Sequence, residues 1–239
     1  MAILAGVHAV LEALKAGREL DRVLIARGAA GGRIQEIIDL CRSGAAPLRF
    51  EPRAALDRLA ASTAHQGVVA VSAAYRYASL EEIPKEAELV VALDGIEDPR
   101  NLGAILRTAH AAGASAAVIP ERRSAGITEA AAKAAAGALE HLPVVRVGNL
   151  NRALDELKER GFWLYGLDER GAAVYHQVEF NSPAAFVLGS EGKGLHHQVK
   201  QRCDVLVRIP LAGKIPSLNV SVAAGIVLFE WKRRKDAVR

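Results

Sequence analysis

Near its carboxyl end the chain twice leaves a strand-like apolar run through glycine. Phe186-Val187-Leu188 breaks into Gly189-Ser190-Glu191-Gly192-Lys193-Gly194, and the run 205–209 breaks into Pro210-Leu211-Ala212-Gly213-Lys214. Loops of this kind free backbone N–H and C=O groups, and glycine lets a ligand approach them closely. The second loop continues through Ile215-Pro216-Ser217-Leu218-Asn219-Val220-Ser221 into a helix pattern over 218–229. That pattern is apolar on nearly every side, which predicts a buried helix. Yet Ser217, Asn219 and Ser221 stand at its mouth, and buried polar groups need partners; a substrate is one. A third loop, Asp94-Gly95-Ile96-Glu97-Asp98-Pro99-Arg100-Asn101, also leaves an apolar strand. Asn101 sits where a helix N-cap belongs, and capping alone would account for it. Arg107 projects roughly 140° from the stripe of Leu102, Ile105, Leu106 and Ala109, so it is either a site residue or a plain surface charge. The chemistry on offer is hydrogen bonding and charge at the mouth of a ligand site.

Those loops need a scaffold. From residue 89 onward strands and helices alternate: strands over 89–93, 116–119, 144–147 and 162–167, helices over 102–112, 128–139 and 150–159, then the two glycine-ended strands and the last helix. That order predicts an α/β domain with a mostly parallel sheet covered on both faces, its loops gathered at the strand carboxyl ends. The first 75 residues read as a smaller α/β unit, with helices over 7–14, 33–41 and 53–60 and strands over 21–26, 48–51 and 67–72. The polar stretch to residue 88, with Pro84, reads as a linker. The organisation expected is therefore 1–75, a linker over 76–88, and 89–239.

Composition sets outer bounds. The chain has 239 residues, 51% apolar and 24% charged, ordinary for a globular protein. No apolar run reaches the roughly 18 residues of a membrane span, and the first residues lack the pattern of a signal peptide. Cys41 and Cys203 lie far apart with no CxxC spacing, which suggests neither zinc nor a disulfide framework and makes a reducing cytoplasm the simplest home. The net charge of +4 permits a polyanionic partner without requiring one. Basic residues cluster at Arg122-Arg123 and at Lys232-Arg233-Arg234-Lys235. The latter suits either nucleic-acid contact or a solvated helix end.

Several familiar sites are excluded. The Gly189–Lys193 loop lacks the four-residue gap and the hydroxyl after lysine of a nucleoside-triphosphate loop. No GxGxxG follows a strand, and no GxSxG elbow is present. His196-His197 has no metal-ligand spacing and reads as an exposed helix start. His65 reads as a turn residue.

Three blocks taken together say more. Residues 94–107 (DGIEDPRNLGAILR), 186–195 (FVLGSEGKGL) and 209–223 (IPLAGKIPSLNVSVA) resemble, in order and separation, the three motifs of the SpoU, or TrmH-like, RNA 2′-O-ribose methyltransferases of the SPOUT superfamily. The stretches Gly6–Val10, His65–Gly67, 122–125 (RRSA) and 138–147 (ALEHLPVVRV) look like the bacterial 23S rRNA guanosine 2′-O-methyltransferase branch.

The resemblance implies a SPOUT-type domain with a deep trefoil knot, preceded by a small RNA-gripping domain of the L30e type. It implies S-adenosylmethionine as cofactor, with Gly189, Ile209 and Leu218 in contact with it, and no metal. It places Asn101, Arg107, Glu191, Ser217 and Asn219 in the catalytic set. It implies a homodimer with the site at the interface, and it favours rRNA as substrate, since many tRNA-modifying relatives lack the amino-terminal domain; tRNA or another rRNA site is the alternative, and a noncatalytic RNA-binding protein the alternative of another class. An arginine is effectively never deprotonated near neutral pH. Arg107 is therefore expected to clamp a phosphate in two-pronged fashion, with the proton leaving through Ser217 or water.

Overall fold

The computed structural model describes residues 3–18, 20–72, 75–213 and 217–237. It divides into two compact units, residues 1–76 and 77–239.

In the first unit, β1 (Ile3–Ala5), β4 (Val68–Ser72), β2 (Leu20–Ala26) and β3 (Leu48–Glu51) form one sheet in that order. Only the β2–β3 pair is parallel. Alternation along β2 decides the layers. Val23 and Ile25 pack with α1 (Val7–Lys15) and α2 (Gly32–Leu40) through Val10, Leu14 and Ile37. Leu24 and Ala26 face the other way, onto Leu56 of α3 (Arg53–Ala60). His65 is indeed at a turn, but its ring is fully buried. The Gly67 N–H donates to its Nδ1 at 3.0 Å, so Nε2 carries the proton and donates to Asp57 at 2.8 Å. The ring thus ties α3 to the turn before β4.

The second unit holds a seven-stranded sheet in the order β7 (Val144–Val147), β6 (Ala116–Pro120), β5 (Leu89–Asp94), β10 (Ala184–Gly189), β8 (Trp163–Leu167), β11 (Val205–Arg208), β9 (Ala173–Val174). All its pairings are parallel. Every residue of β5 and β10 is buried, the mark of a sheet covered on both faces. Val90, Ala92, Val118, Leu164 and Val187 face Leu154 and Leu157 of α6 (Leu150–Glu159) and Val199 of α7 (His197–Lys200). On the other side lie α4 (Pro99–Ala111), α5 (Glu129–Ala135) and α8 (Val220–Ala237), with α4 packed on both of the others. Residues 77–88 pack on this unit: Ile83 and Ala87 are buried, and Arg160 donates to the Leu80 and Ile83 carbonyls at 2.8 Å.

Two details differ from the sequence reading. The N-cap of α4 is Asp98, whose carboxylate accepts from the Arg100 N–H at 2.8 Å, with Pro99 at the first helical position. Asn101 lies inside the first turn, so capping does not explain it. The last helix runs to Ala237, and its Val222 and Phe229 are 51% and 49% exposed, so among the described residues of this unit nothing covers that face. Residues 214–216, in the segment where the resemblance places the knot, lie outside the described residues.

The approach of α4 to α5 depends on Gly103. A Cβ there would stand 2.2 Å from the Ala131 carbonyl oxygen and 3.0 Å from the Ala135 nitrogen. Glycine to alanine inside a helix normally adds stability. Gly103→Ala should instead cost about 1–3 kcal/mol, read as a lower urea midpoint; an unchanged or higher midpoint would show that the helices part without penalty.

Candidate functional site

The sheet's order reverses beside β5. The chain lays β6 and β7 on one side of it and then crosses to β8 on the other, with β10 inserted between. Ligands in open parallel sheets bind outside the strand carboxyl ends at such a switch. Because β10 pairs with β5 with Gly189 opposite Asp94, the loops after both strands leave side by side.

Three residues, one from the first turn of α4 and two from loops, meet there. Asn219 Nδ2 donates to Glu191 Oε1 at 2.7 Å and to Asn101 Oδ1 at 3.0 Å. Asn101 Nδ2 donates to the same Glu191 oxygen at 3.1 Å. The Val220 N–H points to it as well, at 3.4 Å. Asn219 Oδ1 in turn accepts from the Ser221 N–H at 2.9 Å, so Asn219 also caps α8. This network fixes both amide orientations. It sets the Glu191 carboxylate at the amino end of α8, where the helix dipole favours negative charge.

Next to this cluster is a cavity of about 440 Å³, within the range of small-molecule sites. Gly189, Ile209, Ser217 and Leu218 line it, together with Glu191, Leu211 and Asp168. Gly189 is there because nothing larger fits: a Cβ would meet the Gly194 carbonyl carbon at 2.2 Å. The loop folds back that tightly because Ser190 and Gly194 exchange backbone hydrogen bonds at 3.2 and 2.9 Å. A second cavity, of about 480 Å³, shares Ser190, Glu191, Lys193 and Val220 with the first and adds Asn101, Asp98 and His196. The cluster therefore stands between two spaces.

Arg107 is not part of it. The side chain is exposed on α4, lines neither cavity and has no hydrogen-bond or ion-pair partner among the described residues. It neighbours Thr108, whose methyl faces Gly225 of α8. His196 precedes α7, as an exposed helix start should, but it is also anchored: its N–H and ring Nδ1 bond the two carboxylate oxygens of buried Asp94 at 2.7 and 2.9 Å. No group of three metal-ligating side chains occurs among the described residues.

Asp168, just beyond β8, is a wall residue that the sequence reading passed over. Its carboxylate, 5% exposed, meets the Lys200 ammonium at 2.5 Å and accepts from the Arg170 N–H at 2.9 Å. Burial pushes its pKa up, but Lys200 and the Arg170 N–H outweigh that and hold it below the ordinary aspartate range. The signal in the sequence was an acid at the carboxyl end of a parallel strand. A depressed native pKa stabilises the fold above the unfolded value of ~3.9 and loses that contribution as pH falls through the lower native one. Asp168→Asn should therefore be less stable than wild type at pH 7 and converge with it in acid, below the native pKa. Urea midpoints that differ equally at both ends of that range would contradict the assignment.

Residues 88–229 match the SpoU rRNA Methylase family, and residues 3–78 match the family described as RNA 2′-O ribose methyltransferase substrate binding. The Bacillus subtilis protein YacO, assigned to the TrmH family of tRNA/rRNA methyltransferases, is 45% identical over 98% of this chain and 96% of its own length. Among solved structures, the SpoU methyltransferase AviRb of Streptomyces viridochromogenes in complex with AdoMet is similar at a TM-score of 0.71 and 26% identity, covering 98% of this chain and 89% of that one. An AdoMet-bound rRNA methyltransferase from Sinorhizobium meliloti is similar at 0.70 and 26%, covering 97% and 87%. Matched in both units and shared with YacO almost from end to end, this chain belongs to the SpoU family of RNA methyltransferases.

Proposed function

We propose that the chain methylates the ribose 2′-hydroxyl of a guanosine in the peptidyl-transferase region of 23S rRNA, with S-adenosylmethionine as methyl donor, and acts as a cytoplasmic homodimer. The observation that carries the reading is the hydrogen-bonded trio Asn101–Glu191–Asn219, whose Glu191 lies on the wall of the cavity formed by Gly189, Ile209 and Leu218. That cavity suits the donor. Ile209, Leu211 and Leu218 offer apolar walls for a purine, and the mixed charges of Asp168, Glu191, Lys193 and Lys200 suit a zwitterionic amino-acid tail. When bound, the donor supplies a sulfonium methyl already activated for in-line attack, so the protein's task is positioning, charge and proton removal.

The residues divide that task. Glu191 holds the two asparagines, and they orient the ribose. Ser217, on the cavity wall, passes the hydroxyl proton to water. Arg107 grips a substrate phosphate through its guanidinium fork. Within one chain it stands apart from the trio, on the helix that packs against α8, whose exposed Val222 and Phe229 lie about 20° apart around its axis. A second copy covering this face would bring its own Arg107 to the neighbouring site, so the dimer and the arginine belong to one device. The amino-terminal unit grips the RNA, as its family match supports. A tRNA, or another rRNA position, is the second reading, favoured by the breadth of the TrmH assignment of YacO.

S-adenosylmethionine at ~100 times its dissociation constant should stabilise the protein by about 2.7 kcal/mol in thermal denaturation; no shift would leave an RNA-binding protein without catalysis. Arg107→Ala should lose at least ~10²-fold in rate, and Arg107→Lys should stay low because a point charge cannot replace a fork. Near-normal activity with lysine would remove the clamp. Mapping ribose methylation in RNA from a deletion strain identifies the nucleotide, and loss of a mark in tRNA instead of 23S rRNA would select the second reading.

A further inference from the structure

A third cavity, of about 380 Å³, continues the row along the sheet edge. It shares Gly95, Arg123 and His196 with its neighbour and adds Arg122, His197 and Asn151. The two spaces differ in charge. The one beside the trio carries Glu97, Asp98 and Glu191 against Lys193 and Arg123, which suits an uncharged sugar and base. The further one carries Arg122, Arg123 and two histidines, and its one acid, Asp94, has both oxygens taken by His196.

The two arginines are also unspent. Among the described residues neither has a hydrogen-bond or ion-pair partner. The carboxyl-terminal basic run contrasts with them. Lys232 pairs with Asp236 at 2.7 Å, Arg233 and Arg234 with Glu230 at 2.8 and 2.7 Å, and Lys235 with Glu88. Arg123 moreover sits at φ 55, a left-handed conformation uncommon for a residue with a side chain. It is held so because the Ala125 N–H donates to the Ile96 carbonyl at 2.7 Å, tying the loop after β6 to the loop after β5. Backbone strain kept at a cavity wall points towards use. Asn151 adds an independent sign. Its Nδ2 donates to Gln198 Oε1 at 2.9 Å, while its Oδ1 is buried with no donor to satisfy it. An orphaned acceptor beside free guanidinium groups matches a ligand that is anionic and also brings a hydroxyl, as a ribonucleotide does.

We propose that this cavity holds the nucleotide next to the one methylated, with its phosphate on Arg122 and Arg123 and its ribose hydroxyl donating to Asn151 Oδ1. The proposal rests on the reading of the neighbouring spaces as the methyl-transfer site. It gives the chain a grip on RNA within the catalytic unit, in addition to the amino-terminal one.

The test uses the full-length protein and an unmodified 23S rRNA transcript. In Arg122→Gln/Arg123→Gln, S-adenosylmethionine affinity should be unchanged, KM for the transcript should rise at least ~10-fold with kcat retained, and the slope of log affinity against log salt should flatten by about one. Arg123→Gly removes the charge and relieves the left-handed backbone. It should weaken RNA binding while leaving thermal stability equal or higher, so misfolding is not an explanation. Asn151→Ala should narrow the preference for an RNA oligonucleotide over the same sequence in DNA. Unchanged KM and salt slope in the double variant, or a fall in kcat alone, would overturn the proposal. If the wild-type protein transfers no methyl group to the transcript, the functional reading fails instead, and filter binding of RNA to the same variants still decides whether this cavity captures a nucleotide.

Discussion

The parallel pairing of β5 with β10 governs the rest of the second unit. Both strands are six residues long, buried throughout, and run in register from Ala184 opposite Leu89 to Gly189 opposite Asp94. With helices on both faces, polar chain can leave only at the strand ends. Register therefore forces the loops after the two strands to emerge at one level, at the point where the strand order reverses. The loop after β11 comes back as α8, and because α8 lies on α4, its first turn arrives beside the first turn of α4. Loops some 90 and 118 residues apart in the chain are thereby brought within hydrogen-bond reach.

Polar closure then does locally what packing cannot. Glu191 is the shared acceptor for two asparagine side chains and the amino end of α8, and Asp94 performs the same service for His196. Each carboxylate fixes a loop whose own composition, rich in glycine, would leave it loosely specified. The cations follow the opposite pattern. The carboxyl-terminal cations are paired, while Arg107, Arg122 and Arg123 are left without partners among the described residues. An unpaired guanidinium is weakly stabilising at best and is open to an anion from outside the chain.

How legible this was in the sequence depended on what each residue's neighbours contribute. The central strands could be read directly, because burial on two faces leaves uninterrupted apolar runs such as 184–188. The glycine loops and the polar mouth of the last helix were equally visible. Strands β1 and β9 were not, being three and two residues long and too short to show a period. Asn101 left capping open beside a site role because it precedes an apolar stripe, but Asp98-Pro99 is the stronger start signal and the helix begins there. Val222 and Phe229 read as core because residue type says apolar and cannot say what covers it. Asp168 and Asn151 escaped because an acid after a strand and an asparagine in a first helical turn are each unremarkable until the fold sets them on a cavity wall. The trio itself was recognisable through the three motifs taken together; nothing local in any one of them shows that Glu191 reaches the asparagines.

The central claim is that the cavity beside Glu191 holds the methyl donor with its reactive end towards Asn101 and Asn219. A crystal structure of the full-length protein with S-adenosylmethionine measures this most directly. The account predicts density walled by Gly189, Ile209 and Leu218, with the sulfonium methyl facing the trio and the Asn101–Glu191–Asn219 hydrogen bonds intact. A donor bound elsewhere on the molecule, or that cavity filled by the protein's own side chains, would contradict it.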